Sequence, residues 1–123
     1  MCGNVYADEQ QEVAKVIAAE ACGEGNFGMK LVGEVIRNRV DQWKKTPYQI
    51  VSQPNQFFGF TAKNKERLYR ECKVMSDSVA KDVMQGSTGN LTSGALYFRQ
   101  PTEKLKKWHK QLTYRYKNHE FYK

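Results

Sequence analysis

Glu20 is the residue whose place in the sequence asks for a chemical explanation. Val13, Val16, Ile17 and Ala21 recur at helical spacing, and Glu20 follows Ile17 by three residues, Val16 by four and Val13 by seven. On a helical wheel its carboxylate projects from the apolar stripe, near the C-terminal end of the helix. Partial burial and the negative end of the helix dipole both disfavour ionisation, so both raise its pKa. A carboxyl that stays protonated near neutral pH can serve as a general acid. The competing reading is a helix-end Glu that swings to solvent or pairs with a Lys or Arg, and on the pattern alone it outweighs the first. Glu24 lies four residues on. Gly23 interrupts the helix before it, so Glu24 is expected in a loop at the mouth of a site or as a cap for the next helix. His109 and His119, with Glu120 and a Cys, match no standard spacing for zinc ligands, and no metal site is expected.

The elements that must hold Glu20 follow from periodicity and turn residues. The first helix is expected over residues 8 to 22, with Asp8 or a neighbour as its cap and Glu9 and Glu12 near the positive end of its dipole. It stops at Gly23-Glu24-Gly25-Asn26. A second helix should run from about Gly28 to Trp43, burying Met29, Val32, Val35, Ile36 and Val40. Residues 44 to 64 read as irregular, with Pro47, Pro54 and the knot Phe57-Phe58-Gly59-Phe60, whose rings belong by default to the core. A third helix is expected from Glu66 to Gln85, burying Leu68, Cys72, Met75, Val79 and Val83 and ending at Gly86. A strand over 91 to 99, an irregular piece after Pro101 and a short strand within 112 to 122 complete an α+β domain, mainly α, spanning 1–123.

Composition narrows the partners. The net charge is +7, and the basic residues gather late, in 104–110 and 114–117. Such a field attracts nucleic acid, an anionic membrane surface or an acidic bacterial wall, and equally serves solubility. Three cysteines are too few for a disulfide scaffold. Cys22 and Cys72 fall in helix-like patterns and read as buried free thiols, which points to a reducing compartment during synthesis. No apolar run is long enough to cross a bilayer, none at the N-terminus reads as a signal peptide, and Met1-Cys2-Gly3 reads as a trimmed start or a remnant. Asn90-Leu91-Thr92 fits a glycosylation acceptor formally but reads as a turn.

Ile17-Ala18-Ala19-Glu20-Ala21-Cys22-Gly23-Glu24-Gly25 resembles the Glu-Ala-Arg-Gly-Glu segment that opens SleB-type cell wall hydrolases, a family of spore-cortex lytic enzymes with similar domains in phage lysins. Four further blocks follow in the family's order. Gly33 to Val40 resembles its second helix, ending in Asn-Arg-Val. Gln53-Pro54-Asn55-Gln56-Phe57 resembles its Gln-Phe loop, and Gly94-Ala95-Leu96-Tyr97-Phe98 its Gly-Ala-Leu-Tyr strand. Trp108 and Asn118-His119-Glu120-Phe121-Tyr122 resemble its final segment. No block is specific alone; five in register cover almost the whole chain. Cys22 departs from the pattern, standing where the family usually has Arg, and the middle loop is short.

The resemblance implies a lysozyme-like fold and cleavage of peptidoglycan between N-acetylmuramic acid and N-acetylglucosamine. It carries the catalytic acid onto Glu20, and substrate-binding roles onto Glu24, Asn38, Gln56, Phe57, Tyr97 and His119. One persuasive carboxylate suits a lytic transglycosylase, which needs no metal or organic cofactor; a hydrolytic muramidase acting on the same bond is the nearest rival. The expected partner is the glycan strand, met by a monomer without stable membrane insertion. The small size, basic charge and missing signal lean towards a phage or prophage lysin made in the host cytoplasm and then released, or an excised secreted domain. A nucleic-acid-binding module would account for the charge and the seven Tyr but would leave Glu20 and the ordered blocks unexplained.

Overall fold

The computed structural model describes residues 2–54, 56–100 and 102–123. Met1, Asn55 of the Gln-Phe loop and Pro101 lie outside the described residues, as do the side chains of residues 2–8 and of Phe58. The first helix, α1 (Cys2–Ala21), begins earlier than periodicity suggests, so Asp8 lies inside it and does not cap it. A 3-10 turn, Cys22–Glu24, leads into α2 (Gly25–Trp43). Gly25 turns this corner with φ of 79°, a left-handed conformation that costs glycine least. The segment expected to be irregular holds two short helices, α3 (Pro47–Val51) and α4 (Phe58–Thr61). Thr46 and Gln49 close α3 with a reciprocal capping box, and Pro47 supplies a preset φ. The long helix α5 (Lys65–Met84) follows.

The three long helices pack on one another, with α1 against both α2 and α5. Val13, Val16 and Ile17 of α1, Met29, Val32 and Ile36 of α2, and Val79 and Val83 of α5 meet in one core. The buried face of α5 differs from the expected one. A break in helical geometry at Cys72 shifts it onto Tyr69, Ser76, Val79, Ala80 and Val83 and leaves Met75 exposed.

The second face of α2 carries Leu31 and Val35 against Ala95 and Phe121. Here lies a three-stranded antiparallel sheet of β1 (Tyr97–Arg99), β2 (Leu112–Tyr116) and β3 (His119–Tyr122), in the order β1-β3-β2. Tyr97 pairs with Tyr122 and Phe98 with Phe121. The tail is thus a hairpin rather than a single strand, and the expected strand over 91 to 99 is confined to its last three residues. The reason is Glu34, buried on α2. Its carboxylate accepts the Leu91 and Thr92 backbone N–H groups at 2.8 and 2.7 Å, and the Thr92 hydroxyl as well. Those donors are therefore unavailable to a sheet. Among the described residues, no helix is long and apolar enough to cross a membrane.

Candidate active site

Glu20 occupies the last turn of α1, partly buried, with one carboxylate oxygen accepting the Gly59 backbone N–H at 2.6 Å. This bond depends on glycine. A Cβ at position 59 would stand 3.0 Å from the Val16 carbonyl oxygen and from Ala19 Cβ, and 3.1 Å from Glu20 Cγ. A side chain here would push the backbone and α1 apart by a few tenths of an ångström, so glycine suits this close approach. Burial raises the Glu20 pKa above its ordinary value; the Gly59 N–H and the charge of His119 oppose the rise, and the charge of Glu103 adds to it. The outcome is a carboxyl held towards its protonated form.

Glu20 opens onto a cleft of about 530 Å³ lined also by Arg39, Gln56, Tyr97, Phe98 and Trp108. Helix α1, the loop ahead of α4 and strand β1 therefore meet there, and Glu20, Gln56 and Tyr97 share one cavity. Glu103, Lys104 and Lys106 stand along the same cleft, so part of the late basic run faces the site. Tyr97 and Trp108 bring ring centroids within 6.5 Å and form an aromatic wall.

The other candidate residues sit behind this surface. Glu24 and His119 form a pair, Oε2 to Nδ1 at 2.8 Å, with His119 buried and its Nε2 without a partner. The pair ties the turn after Glu20 to β3. The His119 ring packs edge-on against Phe98 at 5.3 Å, and Phe98 is the face shown to the cleft. Asn38 donates from Nδ2 to the Ala95 carbonyl at 2.9 Å and so fixes the approach to β1. Phe57 is buried in the core and lies 4.9 Å beneath the Arg39 guanidinium. His109 packs against Tyr97 and Tyr122, and His119 against Phe98 and Phe121; among the described residues no three His, Cys, Asp or Glu side chains gather as a metal site requires.

Cys22 and Cys72 are not free thiols. They form a disulfide with Cα atoms 6.0 Å apart, a usual span for such a bond. It staples the turn that follows Glu20 to α5, and it corrects the expectation of a reduced pair.

The family described as Cell Wall Hydrolase matches residues 23–122. The chain belongs to the cell wall hydrolase family. A curated relative, cell wall hydrolase CwlJ of Oceanobacillus iheyensis, is 31% identical over an alignment that covers 93% of this chain and 85% of that protein. No solved structure matches the chain. The family match begins three residues after Glu20 and contains Arg39, Gln56, Gly59 and Tyr97.

Three contributors to the site escape a reading based on Glu20 and the motif blocks. Gly59 was visible as a lone glycine inside an aromatic knot, a sign of close backbone approach. Arg39 follows Ile36 by three residues and Val35 by four, so the wheel argument that selects Glu20 selects it too. The disulfide left no signal, because two of three cysteines in helical patterns look alike whether bonded or free.

Proposed function

We propose that this member of the cell wall hydrolase family degrades peptidoglycan, cutting between N-acetylmuramic acid and N-acetylglucosamine as a lytic transglycosylase with Glu20 as its acid. The observation that carries the proposal is a partly buried carboxyl, held by the Gly59 N–H and biased towards protonation, that opens onto an aromatic cleft. Protonated Glu20 gives its proton to the glycosidic oxygen as the C1–O bond breaks. The carboxylate left behind accepts the proton of the muramoyl C6 hydroxyl while that oxygen closes on C1, which regenerates the acid. The Gly59 N–H strengthens its bond as Glu20 becomes charged, so it favours the transition state over the resting state. Gln56 and Tyr97 line the same cleft and supply polar groups for the sugar; Tyr97 and Trp108 supply stacking surface.

A hydrolytic reading is favoured by one feature, Glu103. It faces the cleft, and its charge raises the Glu20 pKa; a second carboxylate is what a muramidase uses to place water or a covalent bond. Product masses decide between the two. The transglycosylase yields muramoyl ends lighter by one water than those of hydrolysis, and Glu103→Gln leaves its rate within about threefold; full-mass ends together with an inactive Glu103→Gln variant assign hydrolysis. The Cys22–Cys72 bond supports action outside the reducing cytoplasm, which a released lysin and an exported enzyme share.

A further inference from the structure

Among the described residues, one buried charge at the cleft forms no ion pair. Arg39 is 2% exposed and lines the cleft. Its Nε donates to the Leu96 carbonyl at 2.6 Å, while Nη1 is buried without a hydrogen-bond partner. Among the described residues it forms no ion pair. Trp43, Phe57 and Tyr97 surround the guanidinium with ring centroids at 5.0, 4.9 and 5.1 Å. Rings orient a flat cation and return part of its lost hydration, but they do not neutralise it. Burial accordingly lowers its pKa to about 10.

The other buried charged or titratable polar groups differ from it: Glu34 accepts from three donors, and His119 is paired with Glu24 through Nδ1, although its Nε2 has no partner. A buried guanidinium without an anion, on the wall of a cavity, is completed most simply by a ligand. Of the three rings, Tyr97 is the one that also lines this cleft.

A muramoyl residue differs from N-acetylglucosamine by a lactyl ether that ends in a carboxyl group. That group is a free carboxylate on peptide-free strands; on others it carries a stem peptide with carboxylates of its own. We propose that Arg39 binds a carboxylate borne by the muramoyl residue, so that the cleft distinguishes a muramoyl sugar from a plain N-acetylglucosaminyl one. This rests on the peptidoglycan reading above. The planar, two-pronged guanidinium suits a carboxylate better than an ammonium does.

The test uses the Glu20→Gln protein, in which turnover is blocked. Three tetrasaccharides are titrated calorimetrically: alternating N-acetylglucosamine and N-acetylmuramic acid without peptide, the same strand with stem peptides, and chitotetraose, which has no carboxylate. At least one muramoyl ligand should bind about tenfold or more tighter than chitotetraose, as expected for a charge-assisted contact. Tight binding of the peptide-free strand assigns the lactyl carboxylate; tight binding of the peptide-bearing strand alone assigns the stem. The difference should vanish in Glu20→Gln/Arg39→Gln and partly survive in Glu20→Gln/Arg39→Lys, with folding checked by thermal unfolding. The Arg39 Nε–H signal of the Glu20→Gln protein, followed by NMR, should shift with the muramoyl ligand and not with chitotetraose, a readout that needs no Arg39 variant. Equal affinities within about threefold, or an unmoved Nε signal, would overturn the inference. Walls left undigested by the wild-type protein would overturn the peptidoglycan reading and this inference with it; walls digested without such discrimination overturn this inference alone.

Discussion

Gly59→Ala probes the contact on which the acid depends. The new methyl group would meet the Val16 carbonyl oxygen and Ala19 Cβ at 3.0 Å and Glu20 Cγ at 3.1 Å. The Val16 carbonyl belongs to the backbone of α1, so the short helix after Phe57 is expected to shift away by a few tenths of an ångström. The 2.6 Å bond from Gly59 N–H to Glu20 then lengthens or breaks. A hydrogen bond to a charged group is worth about 1.5–3 kcal/mol, which converts to a rate loss of about 10- to 150-fold if it is realised fully in the transition state. The overpacking should also cost about 1–3 kcal/mol of stability. The sign of the pH effect separates the two consequences. The Gly59 N–H lowers the Glu20 pKa against the dominant effect of burial. Its loss raises that pKa further, so Glu20 stays protonated to higher pH and the alkaline limb of the activity profile moves upward. The assay is the initial rate of turbidity loss of purified walls across pH, beside thermal unfolding of both proteins. Activity within about threefold of wild type and an unmoved alkaline limb would refute the coupling. A slow variant with an unmoved limb would show that the glycine serves packing alone.

Glu20→Gln should lower wall digestion by 10²-fold or more, the usual worth of general acid catalysis; retention of a tenth of the activity would remove Glu20 from the role. Because the Glu20 pKa is raised from 4.5 on folding, the folded state holds its proton more tightly, and wild-type stability falls as pH climbs from 4.5 through the folded value. Glu20→Gln lacks that loss, so its stability relative to wild type should grow over this window in unfolding curves. Cys72→Ser opens a bond between residues 50 apart, worth roughly 4 kcal/mol by chain entropy. Its melting temperature should fall by on the order of 10 °C, and an unchanged melt would show that the bond contributes nothing. Tyr97→Phe should slow the reaction with little change in melting temperature, since it removes a hydroxyl at the cleft and no packing volume. Activity on walls should fall with salt more steeply than activity on short soluble fragments, because the +7 charge acts through screened contacts.

Helical periodicity placed the three long helices to within a few residues at most ends, since each buries a continuous stripe against the other two. It failed at the N-terminal start of α1 and on the face of α5, where the break at Cys72 turns the stripe. The strand expected over 91 to 99 failed for a reason invisible in local sequence. The side chain that claims its N–H groups, Glu34, lies 57 residues away from Leu91. The candidate site was legible as far as Glu20, Gln56 and Tyr97, because each is polar or aromatic in a motif block and all three line one cleft. The roles of Glu24, Asn38, Phe57 and His119 in holding that cleft from behind follow from pairings across the fold, and no spacing along the chain encodes those.

Three ionisable residues stand on apolar helix stripes, Glu20, Glu34 and Arg39, and the wheel argument treats them alike. What separates them is how much of their bonding capacity the protein fills. Glu34 accepts three hydrogen bonds from one loop and is fully enclosed. Its burial is compensated within the fold, and its work is to shape the entry to β1. Glu20 accepts one bond, from Gly59, and turns the rest of its carboxyl to a cleft; Arg39 donates one bond and leaves Nη1 unmatched beside the same cleft. Leaving Nη1 of Arg39 buried without a partner carries a cost in stability. Such costs persist where a ligand removes them. The filling of their bonding capacity, rather than the charge on the stripe, therefore sets Glu20 and Arg39, which face the cleft, apart from Glu34, which does not.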